Sequence, residues 1–279
     1  MKDKGAVPDC TFVIPVLNQL NYTTRCLESL NSIGVSDQDI IVINNGSTDG
    51  TGEFLNTRRN LRVISNETNR GCSHAWNQGV QASTAVWTVV LNNDVIVAAG
   101  FKEGLVDFAR EQHCDIVSPG MGEGELDYDL LEFSKTFMNK MRFACRYGTA
   151  LGCAFMVHRR VFDTMGFFDT KVGLAGNEDE DFFRRACSSG FRLGITGRAY
   201  LHHFGSVTQR SVKAGMGLPN SARLCDPVYF RKKYRITWVR RRTERLHEKI
   251  RGILWRWKER QRFGMTLKMV RHAGEWHCS

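Results

Sequence analysis

Short apolar runs alternate with amphipathic stretches through the first hundred residues. CTFVIPVL (residues 10–17) is apolar and brief, the pattern of a strand buried on both faces. NYTTRCLESLNSI follows with Cys26, Leu27, Leu30 and Ile33 at helical spacing. DIIVIN (residues 39–44) predicts a second strand, followed by the turn-rich NGSTDGTG. LRVI predicts a third strand, GCSHAWNQGVQAS a helix in which Ala75 and Gly79 allow close packing, and VWTVVLN (residues 86–92) a fourth strand. This βαβαβαβ rhythm predicts an α/β fold with a Rossmann-like, doubly wound, mainly parallel sheet and ligands at the carboxyl ends of its strands.

Beyond Gly100 the rhythm loosens. FKEGLVDFAREQ predicts a helix and CDIVSP a strand, whereas residues 121–146 show no clean period and read as a mobile or acceptor-facing loop. GTALGCAFMVH reads as a strand, RRVFDTMGFFD as a helix and turn, and EDEDFFRRACSSG as a helix. FRLGIT is a strand, and AYLHHFGSVT a further strand running into a loop. From Pro227 onward the composition turns to Arg, Lys and Trp, so a domain over residues 1–236 is expected to carry a basic amphipathic helical extension over 237–279.

Three polar clusters interrupt this pattern at strand ends or loop tips. In INNGSTDGT, Asn44 and Asn45 offer amide acceptors to a base, and Ser47 and Asp49 can hydrogen-bond or cap the next helix. A turn with a helix cap would use the same residues. In VVLNNDVIVAAG, Asn92, Asn93 and Asp94 break an apolar segment. One carboxylate flanked by amides suits a hard divalent cation whose remaining ligands are water and phosphate, and an Asx turn is the structural alternative. In NEDED, Glu178, Asp179, Glu180 and Asp181 suit the first turn of a helix, which on these residues alone is the stronger reading. Their mutual repulsion also raises carboxyl pKa values toward those of a general base. Adjacent His202 and His203 on a strand must point to opposite faces, so only one can face a site.

Composition narrows the class. The 279 residues, 42% hydrophobic, can bury a large core. No apolar run reaches membrane-spanning length, and the start MKDKGAVPDC lacks a signal-peptide core. Nine cysteines without a CxxC pair read as reduced thiols of a cytoplasmic protein. The net charge of +10 is concentrated in residues 231–262, where fourteen Lys/Arg face three Glu, leaving the rest about neutral.

Together the clusters resemble the inverting family 2 glycosyltransferases of GT-A fold, over roughly residues 11–236. FVIPVLNQLNYTTRCLESL is similar to the family's opening strand and helix, and VINNGSTDGT to its uridine-binding loop. NRGCSHAWNQGV is similar to its N-x-G-x-x-x-A-x-N-x-G helix, and LNNDV to its DXD-type metal motif as seen in rhamnosyltransferase-like members. GTALGCAFMVHRRVFDTMGFFD resembles its acceptor-side segment, NEDEDFFRRA its ED base motif, and HHFGSVT with PVYFRKKY its closing histidine loop and domain end.

The resemblance implies a metal-dependent inverting transfer from a nucleoside-diphosphate sugar, UDP- or dTDP-linked, to a glycan or lipid-linked hydroxyl acceptor. Asp94 would hold Mn²⁺ or Mg²⁺ with His203, or with His202 in its place. Asp179 would be the base, supported by Glu178 and Asp181. Pro15, Asn18, Asn44, Asn45, Ser47, Asp49, Asn69, Gly71, Asn77, Asn92 and Asn93 would line the nucleotide-sugar side. Asn44 and Asn45 stand where Asp is commoner in the family, and only Asp94 of the metal triplet is acidic. The metal affinity expected without nucleotide is therefore low.

The alternatives are a sugar nucleotidyltransferase and a non-catalytic nucleotide-sugar binder. The first would carry a Gly-rich basic phosphate loop near the first strand, and PVLNQLN shows none. In the tail, Leu246, Ile250, Ile253, Leu254 and Trp257 recur at helical spacing among Arg and Lys, with Trp255 beside them. That pattern suits a helix lying on the anionic inner face of a membrane, or one packed on the domain with a solvated basic face. No nucleic-acid module is recognisable, so no nucleic-acid partner is expected.

Overall fold

A computed structural model describes residues 10–278. The opening MKDKGAVPD, read above as lacking a signal-peptide core, lies outside the described residues, as does Ser279. The predicted alternation is present. Strands β1 (Cys10–Val16), β2 (Ile40–Asn44), β3 (Arg62–Ser65) and β4 (Trp87–Leu91) are linked by helices α1 (Leu20–Ser32), α2 (Thr51–Thr57) and α3 (Cys72–Ala82). They form a parallel sheet in the order β3-β2-β1-β4, with Val16 opposite Asn44 and Val13 opposite Val90.

Side-chain alternation along the strands builds two cores. Phe12, Ile14 and Val16 join Cys26, Leu27 and Leu30 of α1 on one face. Val13, Ile41 and Ile43 join Ala75, Trp76 and Val80 of α3 on the other. Each large apolar side chain so buried stabilises the fold by roughly 1.5–3 kcal/mol. Gly79 is what lets α3 approach the sheet, since a Cβ there would lie 2.2 Å from Val13.

The sheet then becomes mixed. β5 (Val95–Val97) follows the polar triplet, and α4 (Phe101–Gln112) leads to β6 (Ile116–Gly124). Residues 121–146, expected to be an irregular loop, are mostly regular. β6 extends to Gly124, α5 (Leu130–Met141) is capped by Asp129, and β7 (Cys145–Tyr147) follows. Next come β8 (Ala154–His158), α6 (Arg159–Met165) and α7 (Glu178–Ser188). The two strands expected after α7 are one, β9 (Leu193–His203). Its pairing with β6 shifts register at Pro119/Gly120, which absorbs the interruption between FRLGIT and AYLHHFGSVT. β9 runs antiparallel to β5 and β7 and parallel to β6.

After α8 (Val207–Gly215) and α9 (Pro227–Lys233), the basic extension is helical only through α10 (Trp238–Phe263). Its remainder, expected to be helical, is the hairpin β10 (Lys268–His272) and β11 (Glu275–Cys278), and β10 pairs with β6 in the main sheet. Ala273 and Gly274 at φ 48° and 77° form the two-residue turn, a hairpin geometry that overrides helix continuation. α10 is pinned by a buried bidentate pair, Arg146 to Glu259 at 2.7 and 2.9 Å, and Glu259 also accepts from the Leu267 N–H.

The apolar stripe of α10 does not face the domain. Leu246, Ile250, Ile253, Leu254 and Trp257 are between 46 and 59% exposed. Trp255 is half-buried, stacked by the Arg146 and Arg251 guanidinium groups. Among the described residues the nine cysteines form no disulfide, and no helix is long and apolar enough to cross a membrane.

Candidate active site

The carboxyl ends of β1 and β4, the start of α7, the end of β9 and the start of β10 enclose a cavity of about 310 Å³. Its centre is the triplet between β4 and β5. Asn92 continues the backbone pairing by donating to the Cys153 carbonyl at 2.9 Å. The Asn93 amide is held inside the protein, donating to Thr23 at 3.0 Å and accepting from Thr208. Asp94 is buried, and its Oδ2 accepts from the Val207 N–H at the start of α8. Its Oδ1 lies 3.3 Å from His203 Nε2, an ion-pair distance without hydrogen-bond alignment. Burial opposes ionisation of Asp94, but the imidazole and the Val207 N–H outweigh it and keep the carboxyl pKa below its usual value.

His202, the other histidine of the pair, points away from the cavity as strand alternation requires. Its Nδ1 meets the Tyr128 hydroxyl at 2.9 Å and its Nε2 the Gly124 carbonyl at 3.1 Å. Burial lowers its pKa to about 4, and with both ring nitrogens engaged outside the cavity lining it is not placed to share a ligand with Asp94.

Glu178 and Asp179, which open α7, line the same cavity. Asn177 enters the helix at φ 92°, which turns both carboxylates toward the cleft. Asp179 is half-buried as a residue, but its carboxylate is enclosed. A Cβ on Gly152 would sit 1.9 Å from Oδ2, while Oδ1 accepts from the Glu180 N–H at 2.8 Å. Burial raises its pKa. Burial first, and then Asp179, push the Glu178 carboxyl up to about 7, and Glu178 Oε2 has no hydrogen-bond partner. Asp181, expected to support the base, lies outside the cleft. One turn further on, it is fully buried and binds Arg185, Lys233 and the Tyr234 hydroxyl, joining α7 to α9.

The nucleotide-side residues divide in the same way. Pro15, Asn45, Asn69, Asn92 and Asn93 line the cavity. Asn44 does not: its Oδ1 caps the turn at Ser47 N–H, because Gly46 at φ 87° folds the loop back over it. Asn18, Ser47 and Asp49 knit the β1–α1 and β2–α2 loops together, Asn18 accepting from Thr48 N–H and Asp49 from Leu20 N–H. Asn77 clamps both backbone groups of Phe168, and Gly71, at φ 87°, leaves room for Leu174, whose backbone would lie 3.1 Å from a Cβ there. Asn45 and Asn69 face the cavity but are already bonded to each other and to the adjoining backbone.

Residues not singled out as site candidates complete the walls. Trp76, Cys72, Gln209 and Leu174 line the cavity. Lys268, from the terminal hairpin, is the one Lys or Arg among the described lining residues, and it pairs with Glu123 at 3.0 Å. Among the described residues five buried side-chain polar atoms lack a hydrogen-bond partner, and four of them belong to lining residues: Trp76, Asp94, Glu178 and His203. Folded proteins rarely leave such atoms unpaired, so their convergence marks a ligand site.

The Asp94–His203 pair fits a divalent cation. The 3.3 Å separation is close to the roughly 3 Å between neighbouring ligands of an octahedral shell of ~2.1 Å bonds. Both unpartnered atoms are ligand types such an ion accepts. No group of three His, Cys, Asp or Glu suited to a metal exists among the described residues, so most of the shell would come from substrate and water.

The fold is of the GT-A type. A crystal structure of GalNAc-T7 with UDP, GalNAc and Mn²⁺ superposes with a TM-score of 0.59, covering 71% of this chain and 44% of that one at 16% identity. Residues 11–166 match the model of glycosyl transferase family 2, and the chain belongs to that family. It is 28% identical over 109 residues to Glycosyltransferase GlyG of Streptococcus pneumoniae, covering 38% of this chain and 36% of that protein. It is 27% identical over 117 residues to the uncharacterized glycosyltransferase EpsJ of Bacillus subtilis, covering 41% and 34%. Both matches thus span about a third of the relative's length. A longer match, 24% over 230 residues and about three quarters of both chains, is to Glycosyltransferase AglE of Haloferax volcanii.

Proposed function

We propose that the protein is a metal-dependent inverting glycosyltransferase that moves a sugar from a UDP- or dTDP-sugar to a hydroxyl of a glycan or lipid-linked acceptor. The observation that supports this reading best is that Asp94–His203 and Glu178–Asp179 line one cavity, three of the four with an unpartnered atom. Asp94 and His203 would hold Mn²⁺ or Mg²⁺. Bound there with the donor diphosphate, the cation would act as a Lewis acid that stabilises the charge of the leaving group.

Asp179 takes the proton from the acceptor hydroxyl. The acceptor oxygen bonds to the anomeric carbon as the bond from that carbon to the diphosphate oxygen breaks, and the nucleoside diphosphate leaves with the electron pair. Gly152 keeps the Asp179 carboxylate in place, and the low polarity around it tunes its basicity upward. Pro15, Asn45 and Asn69 border the nucleotide, and Lys268 supplies positive charge to the same cleft. A catalytic unit expected to end at Ile236 therefore also draws on the terminal hairpin. The outward stripe of α10, flanked by Arg and Lys, lays the protein on the anionic cytoplasmic face of a membrane.

The test is turnover of UDP- and dTDP-sugars by the full chain with and without EDTA, repeated with Asp94→Ala. Transfer or donor hydrolysis that stops in both cases supports the reading. Pyrophosphate release from a nucleoside triphosphate would instead assign a nucleotidyltransferase. Tight nucleotide binding without turnover would assign a binding protein.

A further inference from the structure

A second groove adjoins the active-site cavity, sharing Ala175, Gly176, Gln209 and Leu224 with it, so the two form one trough. The start of α10, the end of α9, the preceding loop and α7 wall this groove. Its chemistry differs from that of the cavity. Arg223, Arg231, Arg241 and Arg245 converge there from three separate segments. Two of the carboxylates on its walls are already compensated, since Arg184 pairs with both Glu180 and Glu244. Glu248 is the remaining one. Among the described residues no carboxylate lies within ion-pair distance of any of the four converging arginines. Their crowding is felt at Arg241, whose pKa is lowered chiefly by Arg245, then by burial, Arg231 and Arg223.

Four guanidinium groups lining one groove without an ion-pair partner repel one another, and each presents a planar fork suited to phosphate oxygens. The groove reaches the base through consecutive residues of α7, for Asp179 lines the cavity and Glu180 the groove. Resting on the glycosyl-transfer reading above, we propose that this groove binds a phosphate or diphosphate group on the acceptor, placing the acceptor's hydroxyl at Asp179. The outer side of the helix that carries Arg241 and Arg245 is the apolar stripe. A phosphate borne by a lipid and one borne by a soluble sugar phosphate would both meet the same cations.

The test titrates the full chain with inorganic pyrophosphate and with farnesyl diphosphate by calorimetry in EDTA. It compares the wild type with Arg241→Ala/Arg245→Ala, Arg223→Ala/Arg231→Ala and Asp94→Ala. Both arginine double variants are expected to weaken both ligands at least about tenfold, as befits charge-assisted contacts. Their thermal stabilisation by UDP with Mn²⁺, a readout of folding and of the donor site, should stay unchanged. Arg241→Lys/Arg245→Lys should recover part of the affinity. Farnesyl diphosphate binding tighter than pyrophosphate assigns a lipid-borne acceptor, and equal affinity assigns a soluble one. Pyrophosphate binding that persists in both double variants, or that is lost in Asp94→Ala instead, overturns the proposal. Absence of donor turnover under any condition would sink the glycosyl-transfer reading, while the calorimetry would still report on the groove.

Discussion

Asp94 Oδ1 and His203 Nε2 face each other at 3.3 Å inside the cavity, and neither atom has a hydrogen-bond partner. They come from residues 109 positions apart, joined by the antiparallel pairing that sets Val95 opposite His203. Strand alternation sends the neighbouring His202 to the other face. Asp94→Asn and His203→Ala should each cut donor turnover about 10²-fold or more, and both should abolish the thermal stabilisation that Mn²⁺ adds to bound UDP. His202→Ala should leave that metal effect intact and lower stability by about 1–3 kcal/mol, because the Tyr128 hydroxyl and Gly124 carbonyl lose a buried partner. A metal response lost equally in all three would refute the division of roles.

Glu178 predicts an unusual pH dependence of stability. Its folded-state pKa of about 7 exceeds the ordinary value of 4.5, so between those values the folded protein holds a proton that the unfolded chain has released. Stability from this residue is therefore complete below pH 4.5 and is lost as pH rises through 7, by up to roughly 3 kcal/mol. Glu178→Gln should melt above the wild type at pH 8, with the difference shrinking toward pH 5. A difference that does not change with pH would disprove the assignment.

Gly152 tests the position of the base. Gly152→Ala would place a methyl group 1.9 Å from Asp179 Oδ2, so the carboxylate must swing away. Turnover should fall at least about tenfold while UDP binding is retained, since misplacing a reacting group costs rate more than affinity. Unaltered kcat would show that Asp179 is not held by this contact.

The Arg146–Glu259 pair is bidentate and buried on both sides. Removing one partner strands a charge, so Glu259→Ala should cost about 3–5 kcal/mol in urea denaturation. Replacing the pair together, as Arg146→Met/Glu259→Leu, should recover much of that loss.

Exposed apolar residues on α10 can be changed with little effect on folding. Ile250→Ser/Ile253→Ser/Trp257→Ser should abolish co-flotation with anionic vesicles and leave the melting temperature within a few degrees of the wild type. Flotation of the wild type should weaken in high salt and fail with neutral phosphatidylcholine vesicles. Flotation of the triple variant equal to that of the wild type would end the membrane assignment.

The parallel core was legible because β1, β2 and β4 are unbroken apolar runs separated by helices with clear period. Asp94, Glu178, Asp179 and His203 were legible for a related reason: each is a polar departure at the end of such an element. Asn44, Ser47 and Asp49 looked alike at that level, but a turn consumes their oxygens, and only the backbone at Gly46 reveals it. Helix α5 was hidden although Leu130, Phe133, Phe137 and Met141 carry its period, because glycines and acids crowd the residues before it. The terminal hairpin had a signal in the Ala273–Gly274 turn between Met269–Val270 and Trp276, obscured by the long basic helix before it. Lys268 carries no motif, and only the distant pairing of β10 with β6 brings it to the cavity.

The chain passes from α10 to β10 within a few residues, and the first residue of β10 is the cavity's own cation, Lys268. A load placed on that helix from outside would therefore reach, through a short connection, the strand that carries the cavity's lysine. Adsorbed and freely diffusing molecules should then differ in turnover as well as in address. A version trimmed behind Ile236 would lose part of the chamber wall together with the exposed stripe of α10.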